Sequence, residues 1–240
     1  MNLNGTTAVV TGANRGIGSA LVKALLDRGA ARVYAAARNV ASLETALQLG
    51  PKRVIPVALD VSNREQISSL PDRVPDLRLL INNAGVLDFG SALDVPLEAV
   101  DRNLAVNFYG PLLMARALAP VIEKNGGGAI VNLLTIVAMA SMPALAGYNA
   151  SKAAAWSLTQ SLRASLASRG IAVHGVFPGP VDTDMAASIP LQKTSPGEVA
   201  NAILDGVTSG KEDIFPDPMS KSVYEAWRAD HKAVERQFAA

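Results

Sequence analysis

Thr7-Ala8-Val9-Val10-Thr11-Gly12-Ala13-Asn14-Arg15-Gly16-Ile17-Gly18 decides the fold. Thr7–Val10 is a short apolar run of the kind that makes a buried strand. From Gly16 to Arg28, Ile17, Ala20, Leu21, Ala24 and Leu25 recur at helical spacing. The glycines between them, spaced G-x-x-x-G-x-G, allow a tight turn and let a pyrophosphate approach N–H groups at the helix N-terminus. A glycine triplet alone is also compatible with a plain turn. Its place between an opening strand and a helix makes Gly12, Asn14, Arg15, Gly16, Ile17 and Gly18 a candidate dinucleotide cradle.

The same alternation continues outward. Arg32–Ala36, Val54–Leu59, Leu77–Ile81, Ala129–Leu133 and Ala172–Phe177 read as strands, with Ile214–Phe215 the core of a short seventh. Ala41–Leu49, Leu97–Ala119 and Tyr148–Ser168 read as helices, the last ending at Gly170. The strands are continuously apolar, which fits a sheet buried on both faces by helices. No repeat or linker interrupts residues 1–240, so the expectation is one α/β domain with a doubly wound, mostly parallel sheet of about seven strands.

Composition narrows the function. The chain has 240 residues, 49% apolar and 18% charged, with a net charge of +1 and no basic stripe, so no nucleic-acid partner is expected. There is no cysteine, and His174 and His231 are isolated, so no metal site is expected. Met1–Gly5 lacks the features of a secretory leader, and no run of about 18 apolar residues is present. A cytoplasmic location without membrane association is the expectation.

The end of the second strand bears on the nucleotide. An acid there would accept from a ribose 2′-hydroxyl, whereas arginine accommodates a 2′-phosphate. The stretch is Ala35-Ala36-Ala37-Arg38-Asn39, without an acid, and Arg15 can approach from the glycine loop. Two guanidinium groups favour NADP(H) over NAD(H).

Tyr148-Asn149-Ala150-Ser151-Lys152 opens the long helix and places a phenol and an ammonium on one face. A free tyrosine titrates near pH 10, and lowering it by about three units corresponds to roughly 4 kcal/mol of charge stabilisation. Such a pair suits proton transfer in alcohol–carbonyl interconversion. Taken alone, the spacing is equally that of a surface pair.

With Asp60-Val61, Asn82-Asn83-Ala84-Gly85, Asn107 and Pro178-Gly179-Pro180-Val181-Asp182-Thr183 added, the chain resembles the short-chain dehydrogenase/reductase family along almost its whole length. The resemblance implies a Rossmann-type sheet and an Asn, Ser, Tyr and Lys tetrad. It makes Tyr148 the acid/base and Lys152 the residue that lowers its pKa and holds the nicotinamide ribose. Asn107 would position a water that connects the lysine to solvent. Asp60 and Val61 would meet the adenine, and Asn83, Ala84 and Gly85 its ribose. Pro178, Gly179, Val181 and Thr183 would cradle the nicotinamide and its phosphate. A homodimer or homotetramer, paired through the helices ending near Ala119 and Ser168, is also implied.

The sequence departs from the family pattern at Thr135, which stands where the family carries its catalytic serine. Threonine keeps the hydroxyl and adds a methyl beside the substrate. Ser141, on the following loop, is the alternative hydroxyl. Between Asp60 and Asn82 there is room for only a small helix, interrupted by Pro71 and Pro75. Residues 185–195 form a short substrate lid, closed by Ser195 as N-cap and Pro196 as first residue of the next helix. Met185, Ile189, Pro190 and Leu191 on it, facing Met139, Met142 and Leu145, suggest an apolar pocket for a carbonyl or alcohol. Residues 220–240 look helical, with Tyr224, Trp227, Val234 and Phe238 on one face, and suit either a cap on that pocket or a subunit contact. Reduction of a C=N or enone would need the same groups, and a catalytically weak nucleotide sensor is the competing reading from another class.

Overall fold

Seven apolar segments pair edge to edge, all in parallel, in a computed structural model that describes residues 1–239. The chain runs β1 (Thr7–Thr11), α1 (Gly16–Asp27), β2 (Arg32–Ala37), α2 (Glu44–Gln48), β3 (Val54–Ala58), α3 (Arg64–Ser68) and α4 (Leu70–Arg73). It continues through β4 (Leu79–Asn82), α5 (Leu97–Leu104), α6 (Gly110–Lys124), β5 (Gly128–Leu133), α7 (Ala146–Leu166) and β6 (Ile171–Val176). α8 (Pro196–Thr208), β7 (Asp213–Ile214), α9 (Pro218–Ala229) and α10 (His231–Ala239) complete it. The expected elements are present, most with ends shifted by one or two residues.

Strand order is β3-β2-β1-β4-β5-β6-β7. After β3 the chain returns to lay β4 against β1, so the two halves wind away from the β1/β4 boundary. In open parallel sheets the crevice beyond the strand ends at such a reversal is where ligands bind. The glycine loop leaves β1 there, and Asn83–Gly85 leaves β4 beside it.

Side-chain alternation supplies two cores. Val10 and Ile81 face Leu21 and Leu25 of α1 and Val199, Ile203 and Leu204 of α8. Val9, Leu80 and Ile130 face Met114, Leu118 and Ile122 of α6. Full burial of each such side chain contributes roughly 1.5–3 kcal/mol before entropy is counted.

Four features refine the sequence reading. The helix expected over Ala41–Leu49 begins as a 3₁₀ turn, Val40–Leu43, before α2. The small helix expected after Asp60 is two short ones, α3 and α4, with Pro71 in the first turn of α4. The helix over Leu97–Ala119 extends to Lys124 and contains a π-turn, Ala105–Tyr109. That run, Leu97–Lys124, includes a stretch apolar enough by composition to cross a membrane. Its apolar residues are spent on the core, since Met114, Leu118 and Ile122 are fully buried there. The C-terminal segment is two helices that break at Asp230, and its last residue, Ala240, lies outside the described residues.

Candidate active site

The glycine loop is shaped by its own backbone. Gly12 and Gly16 adopt φ of +63° and +54°, the left-handed region that glycine occupies at no steric cost. A Cβ on Gly18 would overlap the carbonyl oxygen of Gly12. β4 clamps the turn from the other side: the Asn83 side-chain amide donates to Thr11 O (2.9 Å) and Gly12 O (3.1 Å). The N–H groups of Asn83 and Ala84 both donate to Thr11 Oγ1 at 3.0 Å. Asn83, expected beside a ribose, thus spends its amide on holding the turn.

Above this turn opens a cleft of about 1470 Å³. α1 begins at its wall with no side-chain cap and no acid in its first turn. Uncapped N–H groups at the positive end of a twelve-residue helix suit a pyrophosphate, so the residues present fit a bound dinucleotide. Every residue expected to contact the cofactor lines the cleft, with Thr135, Tyr148 and Lys152 at the same wall. Asn107 alone does not; it lies buried beneath.

At the far end of β2, Arg38 is exposed, and its charge acts on Asp60. Burial pushes the Asp60 carboxyl up, but bonds from the Ser62 hydroxyl (2.6 Å) and amide (2.9 Å), together with Arg38, hold it below its ordinary range. Arg15 points the other way, toward Asp184 in the segment after β6, at 2.8 Å. Both partners are mostly exposed, and such a pair contributes at most about 1 kcal/mol.

The wall that carries Thr135, Tyr148 and Lys152 is made by α7 and the end of β5. The Lys152 ammonium donates to Leu133 O at 2.7 Å and stands 5.9 Å from the centre of the Tyr148 ring. Burial lowers its pKa to about 8. Burial raises the Tyr148 phenol to about 12, against an opposing hydrogen bond with Thr135. In the free protein, therefore, Lys152 does not by itself bring Tyr148 toward neutrality. Thr135 Oγ1 accepts from Val137 N–H at 3.3 Å, which leaves its proton free to be donated. Ser141 is exposed and outside the cleft.

Asn107 sits in the π-turn, a helix irregularity that re-aims groups at functional sites. Its side-chain amide donates to Val86 O and Ser151 Oγ (both 2.9 Å) and accepts from Val86 N–H (3.0 Å). A Cβ on Gly85 would stand 3.3 Å from Asn107 Oδ1 and 3.7 Å from Lys152 Nζ. Asn107, Gly85 and Lys152 thus meet at one spot, with both amide hydrogens of the asparagine engaged and one acceptor position of Oδ1 left over.

The other end of the cleft is apolar. Met142, Leu145, Met185, Ile189, Pro190 and Leu191 all line it, whereas Met139 does not. Phe89, Met142, Met185 and Leu191 are exposed large apolar side chains at the cleft. The sequence does not single out Phe89, or Met219 and Val223 of α9, which also line the cleft. α10 folds back so that Gln237 and Phe238 line it too. Phe238 packs with Tyr148 and Leu134 in a third apolar cluster at the cleft. Stacked rings pin α9 in place: Phe215 lies 5.1 Å from Phe177 and 4.0 Å from Tyr224.

Comparison with known proteins places this arrangement. The family model for short chain dehydrogenases matches residues 6–194. A sorbitol dehydrogenase of Cereibacter sphaeroides is 36% identical over 187 residues, which are 76% of this chain and 73% of that one. A short chain dehydrogenase from Burkholderia cenocepacia J2315, solved in complex with NADP, superposes with a TM-score of 0.94. It is 38% identical, over 100% of both chains. A short chain dehydrogenase/reductase from Burkholderia phymatum, in complex with NAD, shares the fold at a TM-score of 0.88. It is 24% identical, over 99% of this chain and 96% of that one. The chain belongs to the short chain dehydrogenase/reductase family of oxidoreductases.

Proposed function

We propose that the protein reduces a ketone or aldehyde reversibly to the alcohol with NADP(H), and that its substrate is apolar around the reacting carbonyl. The observation that carries this reading is the meeting of Tyr148, Thr135 and Lys152 on one wall of a cleft whose other end is an uncapped helix above a glycine turn. Bound there, NADP(H) would supply hydride from its nicotinamide C4 to the carbonyl carbon. Gly12–Gly18 and Thr183 would hold its phosphates, Asp60 and Val61 its adenine, and Ala84, Gly85 and Lys152 its riboses. Pro178, Gly179 and Val181 would lie along the nicotinamide.

Tyr148, protonated throughout the neutral range, is in the form that donates. Its hydroxyl gives the proton to the developing alkoxide, and the free proton of Thr135 hydrogen-bonds the same oxygen. Lys152, charged at neutral pH and hydrogen-bonded to Leu133 O, favours the phenolate left behind. Phe238, Met219, Val223 and Met142 exclude water from the substrate side.

The preference for NADP(H) is supported by Arg38 and the missing acid on β2, and by the NADP complex of the Burkholderia cenocepacia relative. Arg15 joins the phosphate site by exchanging Asp184 for it. A homodimer or homotetramer is the assembly proposed.

The test is NADPH oxidation against a panel of ketones and aldehydes graded in apolar bulk, with sorbitol-type polyols run in reverse. In Tyr148→Phe we expect kcat to fall about 10²–10⁴-fold with NADPH binding kept. Unchanged turnover in that variant overturns the assignment.

A further inference from the structure

Asp217 is a buried carboxylate, 2% exposed, and forms no ion pair among the described residues. Its two oxygens accept from backbone alone. Oδ1 takes the N–H of Ser220 at 2.8 Å and caps α9 in a capping box. Oδ2 takes the N–H of Gly179 at 2.9 Å, across 38 residues of chain. The approach is tight: a Cβ on Gly179 would stand 3.0 Å from Asp217 Oδ1 and 3.4 Å from Met219 Cβ.

The peptide between Pro178 and Gly179 is held at its other end as well. Pro178 O accepts from the N–H of Ile136, the residue after Thr135, at 3.2 Å. One carboxylate and one peptide therefore join the N-terminus of α9 to the strand end that carries Thr135. Capping alone does not account for the charge, because serine or asparagine caps a helix without burying one. The second arm, to Gly179, is what a carboxylate adds.

We propose that Asp217 is a positioning residue for hydride transfer. It fixes the Pro178–Gly179 peptide relative to Thr135 and Tyr148, and through α9 it sets Met219 and Val223 of the substrate wall in the same frame. The nicotinamide face and the substrate wall are thereby placed by one side chain. This inference rests on the reaction proposed above for its kinetic consequence, whereas the bonding of Asp217 to Gly179 stands apart from it.

Asp217→Ser tests it, because the serine hydroxyl still caps Ser220 N–H but is too short to reach Gly179. Ser220→Ala is the control, since it removes the reciprocal half of the capping box and leaves the Gly179 bond. We expect kcat for carbonyl reduction to fall about tenfold to a hundredfold in Asp217→Ser, with the KM for NADPH changed less than about threefold. Ser220→Ala should keep the wild-type kcat. In the cofactor-free protein, deuterium uptake across residues 177–183 should rise in Asp217→Ser and not in Ser220→Ala. Wild-type kcat in folded Asp217→Ser, or unchanged uptake there, overturns the proposal. If Asp217→Ser does not fold, Asp217→Thr, whose hydroxyl likewise caps Ser220 N–H and is too short to reach Gly179, takes its place under the same two readouts. Wild-type protein inactive on every carbonyl would defeat the proposed function, and the uptake measurement would still decide whether Asp217 holds the loop.

Discussion

The two ends of the cleft are built by different means. At the end proposed for the nucleotide, the wall is mostly backbone: the Gly12–Gly18 turn, the uncapped start of α1 and the end of β4 meet at the β1/β4 boundary of the sheet. Their geometry comes from glycine conformations and from short bonds between neighbouring strand ends. At the end proposed for the substrate, side chains form the wall, and they arrive from Phe89, Met142, residues 185–192, α9 and α10. The first construction tolerates almost no added atom, whereas the second tolerates exchange of one apolar side chain for another.

Damage at the first end should be structural and large. Gly18→Ala puts a methyl against Gly12 O, and we expect about 3 kcal/mol or more of lost stability together with loss of NADPH binding. Urea denaturation and a fluorescence titration with NADPH read the two effects. A variant that binds NADPH normally would show that the turn relaxes more freely than its contacts suggest.

Damage at the second end should be selective. Phe238→Ala should lower kcat/KM about tenfold for bulky apolar carbonyls, and little for small ones, with the KM for NADPH unchanged. Equal losses on large and small substrates would separate α10 from specificity.

A smaller effect should distinguish the charges within the nucleotide end. Arg38→Ala should raise the KM for NADPH several-fold, about 1 kcal/mol, and leave that for NADH nearly unchanged. Equal effects on both nucleotides would remove Arg38 from the 2′-phosphate site.

The smallest effect concerns pH and stability at the wall between the two ends. Burial lowers Lys152 from 10.5 to about 8, so between those values the unfolded chain binds more protons than the native one. Stability should then rise with pH from about 8 upward. Tyr148, raised from 10.0 to about 12, binds its proton more firmly when folded, and removes stability above pH 10. The window for the Lys152 effect is therefore pH 8 to 10. Wild-type protein, without cofactor, should gain Tm across it relative to Lys152→Met. Parallel Tm curves for the two would show that the buried ammonium titrates normally.

Much of this was legible in the chain before any coordinates. The parallel sheet followed from apolar strands alternating with amphipathic helices, and the glycine turn from its place after Thr7–Val10. The shared helix face of Tyr148 and Lys152 followed from a four-residue step, though their role came only from the motifs around them. The cap at Ser195 followed from a local S-P-G-E pattern that forms a capping box. Each of these is set by residues near one another in sequence, because turn conformation, capping and face alternation depend on local backbone geometry.

The tertiary structure decided what those parts touch. Arg15 faces Asp184 because the segment after β6 passes beside the glycine loop. Asn107 spends its amide on Val86 and Ser151 because a π-turn re-aims it. Phe238 reaches the cleft only because α10 turns back at Asp230, and Asp217 meets Gly179 only once β6 and β7 are paired. Such contacts join residues far apart in the chain and arise from the packing of whole elements, which no local pattern encodes. The glycine turn was thus readable from sequence, while the apolar end of the cleft and the contact of Asp217 with Gly179 came only with the fold.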